Sequence, residues 1–394
     1  MRIAYVCADP GVPIGGQKGC CVHVREVIGA LREQGADVEV FAARVAANTL
    51  PAELEKLAIH CLDSRSSTNC RAARERAALD ANYELYARLL TAGPFDLVYE
   101  RYSLWSYAGM VYAHDRQIPG LLEVNAPLIE EQATHRKLVN HTRAEQVAHR
   151  VFTQATALLP VSEEVAAYLR AAAPAGDRIH ILPNGVNPHR FAPGLTPAHP
   201  APPGVFTVGF VGSLKPWHGV SILSDAFTRF HRQHSQSRLL IVGDGPERDQ
   251  LNADVISLGI ADVTDTTGAV APEAIPALLA SMDVAVAPYP LLPAFYFSPL
   301  KVYEYMASGL PVVASCMGQL AHLIQDGQNG LLCPPGDPMA LAQALGHLYR
   351  DRALCHHLGQ AARRTILCDH TWSLVAQRIL HIAQAAPISA SERL

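Results

Sequence analysis

Twice in this chain, at Arg2 and again at Phe206, a short apolar run breaks off in glycines and gives way to a helical pattern. The first copy runs from Arg2 to Cys7, stops at Asp9-Pro10-Gly11 and passes through Gly15-Gly16-Gln17-Lys18-Gly19. It then takes helical spacing from Val22 to Leu31, and Val38 to Ala42 reads as the next strand. The second copy runs from Phe206 to Val211 and ends in Gly212-Ser213-Leu214-Lys215. A helix from about Val220 to His231 follows, then a strand from Leu239 to Val242 that stops at Gly243-Asp244-Gly245-Pro246. Strands that are apolar on both faces and alternate with helices predict parallel sheets covered on both sides. The expectation is an α/β chain of two doubly wound domains, and 394 residues is the right length for two. With 49% hydrophobic and 17% charged residues, the chain has the apolar surface to build both cores.

The six prolines between Pro188 and Gly204 cannot supply strand or helix-interior hydrogen bonds, so 188–203 reads as a linker. It would join an N-terminal domain at 1–187 to a second at 204–370. The segment 371–394, with Trp372 and Leu380 at helical spacing, packs on one domain or the other. A formal charge of −4 gives no global attraction to nucleic acid, so any anion site must be local. No run approaches the ~18–20 apolar residues that span a bilayer, which leaves only contact with a membrane surface open. The nine cysteines include no C-x-x-C, and the 18 histidines no H-E-x-x-H. That pattern predicts reduced thiols in a cytoplasm, no metal site and no cofactor.

The segment Phe295-Tyr296-Phe297-Ser298-Pro299-Leu300-Lys301-Val302-Tyr303-Glu304 carries the most chemistry. Ser298 is a favoured N-cap and Pro299 a favoured first helical residue, so a helix should open here and stop at Gly309. Strands at Val284–Ala287 and Pro311–Ser315 flank it, which places its start at the ligand-binding edge of a doubly wound sheet. The free Leu300 and Lys301 amides, the helix dipole and the Lys301 charge would then form a phosphate site, with Glu304 one turn on for ribose hydroxyls. The alternative is a well-capped surface helix with a Lys–Glu pair. Lys215 and His218 open another helix at the same edge, although a loop histidine also serves simply to satisfy backbone groups. Gly15, Gly16 and Gly19 let backbone approach a ligand closely.

In order along the chain, these segments resemble a known family. They are the Gly15-Gly16 loop, Pro183-Asn184-Gly185-Val186-Asn187, Phe210-Val211-Gly212-Ser213-Leu214 and Gly243-Asp244-Gly245-Pro246. Met282-Asp283-Val284-Ala285-Val286-Ala287-Pro288, Glu304 to Ala314 and Asp326-Gly327-Gln328-Asn329-Gly330-Leu331-Leu332 complete the set. The chain is similar to the retaining glycosyltransferases of GT-B architecture, family four, from Met1 to about Trp372 and most closely from Phe206 to Asp337. The resemblance implies two Rossmann-like domains facing across a cleft. A nucleotide sugar would bind mainly on the second and a small-molecule, glycan or lipid-linked acceptor mainly on the first. On family frequency the nucleotide is UDP. By the same resemblance the base lies near Gly268-Ala269-Val270 and Glu304 holds the ribose. The diphosphate meets Lys215, Lys301, the Leu300 amide and Gly16, with Gly212, Ser213, His218, Tyr296, Ser298 and Pro299 around the donor.

This chain departs from the family pattern at several places. Tyr296 stands where the first of two glutamates separated by seven residues is usual, the second being Glu304. Ser213 and His218 replace a usual arginine and lysine, and His322 stands where a carboxylate is expected. Asn125 takes the place of a histidine after an N-domain strand, so Glu123 and Asn125 are sugar- or acceptor-side candidates, or structural. Glu130, Glu131, His135, Arg136 and Arg143 form a polar run that faces the acceptor or only solvent. The implied activity is metal-independent transfer of a hexosyl group with retention. An epimerase or phosphorylase of the same architecture, and a nucleotide-sugar-binding protein without turnover, are the alternatives.

Overall fold

The computed structural model describes residues 1–46, 50, 54–62, 70–173, 176–292 and 295–385. The chain divides into two units. One contains Met1–Asn184, Tyr296–Ser298 and the helix that begins at Trp372; the other contains Gly185–Phe295 and Pro299–Thr371.

In the first unit β1 (Arg2–Cys7), α1 (Gly19–Glu33), β2 (Asp37–Ala42), β3 (Ile59–Cys61) and α2 (Arg71–Ala92) are followed by β4 (Leu97–Arg101), α3 (Ala108–Arg116) and β5 (Gly120–Val124). Next come α4 (Leu128–His135), α5 (His141–Gln154), β6 (Ala157–Pro160) and α6 (Glu163–Ala172). The strands lie in the order β3-β2-β1-β4-β5-β6, every neighbouring pair parallel. Ile3 to Cys7 are wholly buried, as strands covered by helices on both faces must be. Val24, Val27, Ile28 and Leu31 of α1 fall on its buried side at helical spacing. Ser162 caps α6 by accepting the Val165 N–H.

The second unit repeats that winding. It comprises β7 (Phe206–Val211), α7 (Val220–Gln233), β8 (Ser237–Val242), α8 (Arg248–Ser257), β9 (Thr264–Thr266) and α9 (Ile275–Leu279). β10 (Val284–Ala287), α10 (Leu300–Ala307), β11 (Val312–Ser315), α11 (Gly318–Leu323), β12 (Leu331–Cys333), α12 (Pro338–Arg350) and α13 (Arg352–Asp369) complete it. The order is β12-β11-β10-β7-β8-β9, again all parallel. The direction of winding therefore reverses between β7 and β10, the switch point beside which ligands bind in such sheets. The final helix, α14 (Trp372–Ala385), packs on α1 in the first unit, with Trp372 edge-on to His23 and Gln34 donating to Ser373. Residues 386–394 of the expected C-terminal segment lie outside the described residues.

The stretch 188–203 contains no strand or helix, and it is bound along the second unit. Phe191 is buried, the Ala198 N–H donates to the Ala277 carbonyl, and the His199 N–H donates to Ser281 Oγ. Prolines exclude the stretch from the sheet, yet the N–H groups between them still need partners, and these fix it to the neighbouring loops. At the start of α10 the structure corrects the sequence reading: Ser298 is not its N-cap. Pro299 holds that position with an extended ψ of 100° and the helix starts at Leu300. The Ser298 hydroxyl accepts the Asn184 N–H at 3.2 Å instead, and its carbonyl accepts from the Asn184 side chain at 2.7 Å.

Candidate active site

Three chain segments converge at the carboxyl edge of the second sheet. After β7 the chain passes through Gly212, Ser213, Leu214 and Lys215 into a single turn at Pro216–His218. Gly219 then adopts φ 69°, and a Cβ there would lie 1.7 Å from the Pro288 carbonyl oxygen. Only glycine lets this loop close on the segment that follows β10. From the other side α10 is tied to β7 by one hydroxyl: Tyr305 Oη accepts the Val211 N–H at 2.8 Å and donates to the Val211 carbonyl at 3.1 Å. That tie fixes where the first turn of α10 stands relative to the strand ends.

Lys301 projects from that turn. Its Nζ is enclosed, although the residue as a whole is half-buried, and it has no hydrogen-bond partner among the described residues. The rings of Phe210 and Tyr289 lie 4.3 Å and 5.2 Å from it. Burial pushes the Lys301 amine down to about 7, against the opposing pull of Glu304. A buried cation without an acceptor is costly unless an anion arrives to meet it. No side chain caps α10, and of its first-turn N–H groups that of Val302 donates to the Pro299 carbonyl. The Leu300 and Lys301 amides, the positive end of the helix and the Lys301 amine are groups whose chemistry complements an anion.

His218 completes this enclosure. Its Nδ1 bonds to the Ser213 carbonyl, so Nδ1 carries the proton and Nε2 is bare in the neutral ring. Burial first, then the Lys301 charge, push His218 down to about 3. Its ring lies 6.3 Å from Phe210 and 5.8 Å from Tyr289, the same two rings that flank Lys301. Lys215 is half-buried, 5.8 Å from the Trp217 ring. Beside this turn the loop after β8 packs backbone to backbone: the Leu214 N–H donates to the Asp244 carbonyl, and Gly243 bridges Gly268. Arg248 and Asp244 pair at 2.7 Å next to Gly268, and Val270 is half-buried two residues on.

The structure thus places Lys301, Glu304, Lys215, Gly212, Ser213, His218, Pro299 and Leu300 on the turn after β7 and the first turns of α10. Val270 follows β9 on the same sheet. Gly16, Glu123, Asn125, Arg136, Tyr296 and Ser298 belong to the first unit. His135 ends α4, and its side chain lies outside the described residues. Arg136 is exposed beyond it. Tyr296 donates to Glu131 at 3.3 Å, its carbonyl accepts from Ser162, and burial pushes its hydroxyl upward.

Glu123 is engaged by side chains of its own unit, as in the structural alternative for it. Its carboxylate is buried and accepts from four side chains, with Tyr99 at 2.6 Å, Arg101 at 2.7 Å and His23 at 2.9 Å; Asn125 is the fourth. Opposing the cost of burial, His23 and Arg101 hold it well below the usual carboxylate range. His23, Tyr99 and Arg101 escaped the sequence reading, as did the roles of Phe210, Tyr289 and Tyr305. A carboxylate inside an otherwise apolar strand was the one signal that buried donors must surround Glu123.

Two doubly wound parallel sheets in one chain are the GT-B architecture. A family model described as glycosyl transferases group 1 matches residues 205–351, and one described as glycosyltransferase family 4 matches residues 18–190. The chain belongs to this glycosyltransferase family. It is 26% identical to an MMP α-(1→4)-mannosyltransferase of Mycolicibacterium hassiacum, over 98% of each chain. Among solved structures, the sucrose-phosphate synthase of Thermosynechococcus elongatus superposes with a TM-score of 0.75 at 22% identity, over 98% of both chains. HepE of Anabaena, solved in complex with UDP, gives 0.72 at 19% identity, over 98% of this chain and all of that one. The last two likenesses speak to the fold.

Proposed function

We propose that this glycosyltransferase moves a hexosyl group, with retention at the anomeric carbon, from a nucleoside-diphosphate sugar to a hydroxyl of a small-molecule, glycan or lipid-linked acceptor. The observation that carries the reading is the enclosed, unpartnered Lys301 Nζ at the uncapped start of α10. UDP is the first candidate nucleotide, being the one held in the HepE structure. A hexosyl group accords with the mannosyltransferase relative. As the bond from the sugar carbon to the diphosphate oxygen breaks, negative charge grows on the leaving group. In this reading Lys301, Lys215 and the first amides of α10 receive that charge, and fixed donors of this kind stabilise a transition state without reorganisation. The acceptor oxygen bonds to the same face of the anomeric carbon, and its proton passes to the departing diphosphate oxygen. No carboxylate nucleophile is needed, unlike in a retaining glycosidase. A cytoplasmic setting accords with nine cysteines that are all free, and no described helix is long and apolar enough to cross a membrane.

Thermal shifts with UDP-, GDP- and ADP-sugars test the donor, because a ligand of the native state raises stability once its concentration exceeds its dissociation constant. One nucleotide should shift the melting temperature of the parent protein and leave Lys301→Ala unshifted. Transfer to an acceptor panel should vanish in the same variant, and the donor incubated alone should keep its sugar configuration. A donor sugar epimerised without acceptor, or binding without turnover on every acceptor, would overturn the assignment.

A further inference from the structure

The cation at the centre of this receptor is one that the protein can discharge. Lys301 Nζ is enclosed by Phe210 and Gly212 of the β7 edge, by Tyr289 after β10, and by the first turn of its own helix. The titratable and charged groups that face it are few. From α10 there is Glu304, one turn away, and it alone favours the ammonium form. From the turn after β7 there are His218 and Lys215, and neither supplies negative charge. Tyr289 is buried and its hydroxyl is held far above neutrality. Ser213 occupies the position where the resemblance leads one to expect an arginine, so no fixed guanidinium shares the task.

We propose that binding of the nucleoside diphosphate draws one proton from solvent onto Lys301, so that donor affinity is coupled to proton uptake. The proposal rests on the donor reading above. With the site empty, the enclosed amine sits near 7 and is mostly neutral at pH 8. A diphosphate within hydrogen-bonding distance supplies the missing counter-charge and raises the amine towards its ordinary value. The free-state value lies below the bound-state value. Affinity is therefore fully present below pH 7 and is lost as pH climbs towards the bound-state value. Linkage of one proton makes the dissociation constant rise about tenfold per pH unit in that window. The nucleotide does not confound this slope, because a terminal phosphate with a second pKa of about 6 is fully ionised at pH 8.

Calorimetric titration of the full chain with UDP, GDP and ADP at pH 8, in buffers of low and high ionisation enthalpy, reads the proton directly. The expected result is an observed enthalpy that depends on the buffer, corresponding to uptake of nearly one proton, and a dissociation constant that rises about tenfold per pH unit from 7.5 to 9. Lys301→Arg, whose side chain stays charged, should bind with no buffer dependence and a flat pH profile. Should that variant fail to fold, the titration of the parent protein decides alone. Binding without proton uptake overturns the coupling and leaves the donor reading standing. Failure of all three nucleotides to bind at any pH overturns the donor reading, and the coupling with it.

Discussion

Three buried ionisable side chains show how differently one chain treats charge. Glu123 is ionised because four donors surround it, and Lys301 waits for a partner. Glu100, one residue before Arg101 on β4, is wholly buried, with the Ser106 hydroxyl and the Met110 N–H as its donors among the described residues. Burial raises it from 4.5 to about 7. The native value lies above the unfolded one, so the protonated form is favoured in the fold. Its contribution is fully present below pH 4.5 and is lost as pH rises through 7. A shift of two to three units corresponds to about 3 kcal/mol. Glu100→Gln can accept the Met110 N–H on its amide oxygen and donate its NH2 to the Ser106 hydroxyl oxygen, and it does not titrate. Its stability relative to the parent should therefore improve by about 3 kcal/mol between pH 4.5 and pH 8, as read by urea unfolding. Glu123→Ala should do the reverse, costing about 3–5 kcal/mol near neutrality because Arg101 and His23 lose a buried partner. A change of under 1 kcal/mol would show that water relieves the network.

At the level of elements, the strands and helices were legible because their signals are local. Phe206–Val211 and Val284–Ala287 form strands with the very bounds their apolar runs suggest, and α7 begins at Val220 as its spacing predicts. The start of α10 was misread by one residue because its cause is tertiary. Asn184 claims Ser298, leaving Pro299 extended, and neither contact is written near Ser298 in the sequence. The surroundings of Glu123 are tertiary too: its donors come from α1, β4 and the residue after β5, brought together by the β1-β4-β5 order. Lys301 was legible as a charge on a first turn, yet its aromatic enclosure was not. The tie between α10 and β7 is likewise invisible in sequence and has a testable consequence. Tyr305→Phe strands the buried Val211 N–H, and the loss should cost about 1–3 kcal/mol. It should also weaken UDP binding, since it frees the turn that carries Lys301. Unchanged affinity in a destabilised variant would mean that α10 is held by packing alone.

For the whole molecule, the net charge of −4 means that a polyanionic donor is not drawn in by the protein at large. Its charge must be met by groups beside it. A nucleoside diphosphate leaving group carries roughly two to three negative charges near neutrality. Lys301, once protonated, and Lys215 supply two positive charges, and the start of α10 adds the equivalent of about half a charge. On the donor reading proposed above, that sum is expected to balance the leaving group without a divalent cation. Transfer should accordingly run at the same rate in excess EDTA as in added magnesium. On the same proposal Lys301 acts in its charged form, so the rate at subsaturating donor should fall as pH rises above 7, following the loss of affinity. Lys215→Ala removes one of the two cations and leaves Lys301 enclosed. It should lower donor affinity by about 1–2 kcal/mol, the worth of a charge-assisted contact at a half-exposed site, and added magnesium should then restore part of the rate. Activity abolished by chelator in the unaltered protein and recovered with magnesium would show that the local cations do not suffice.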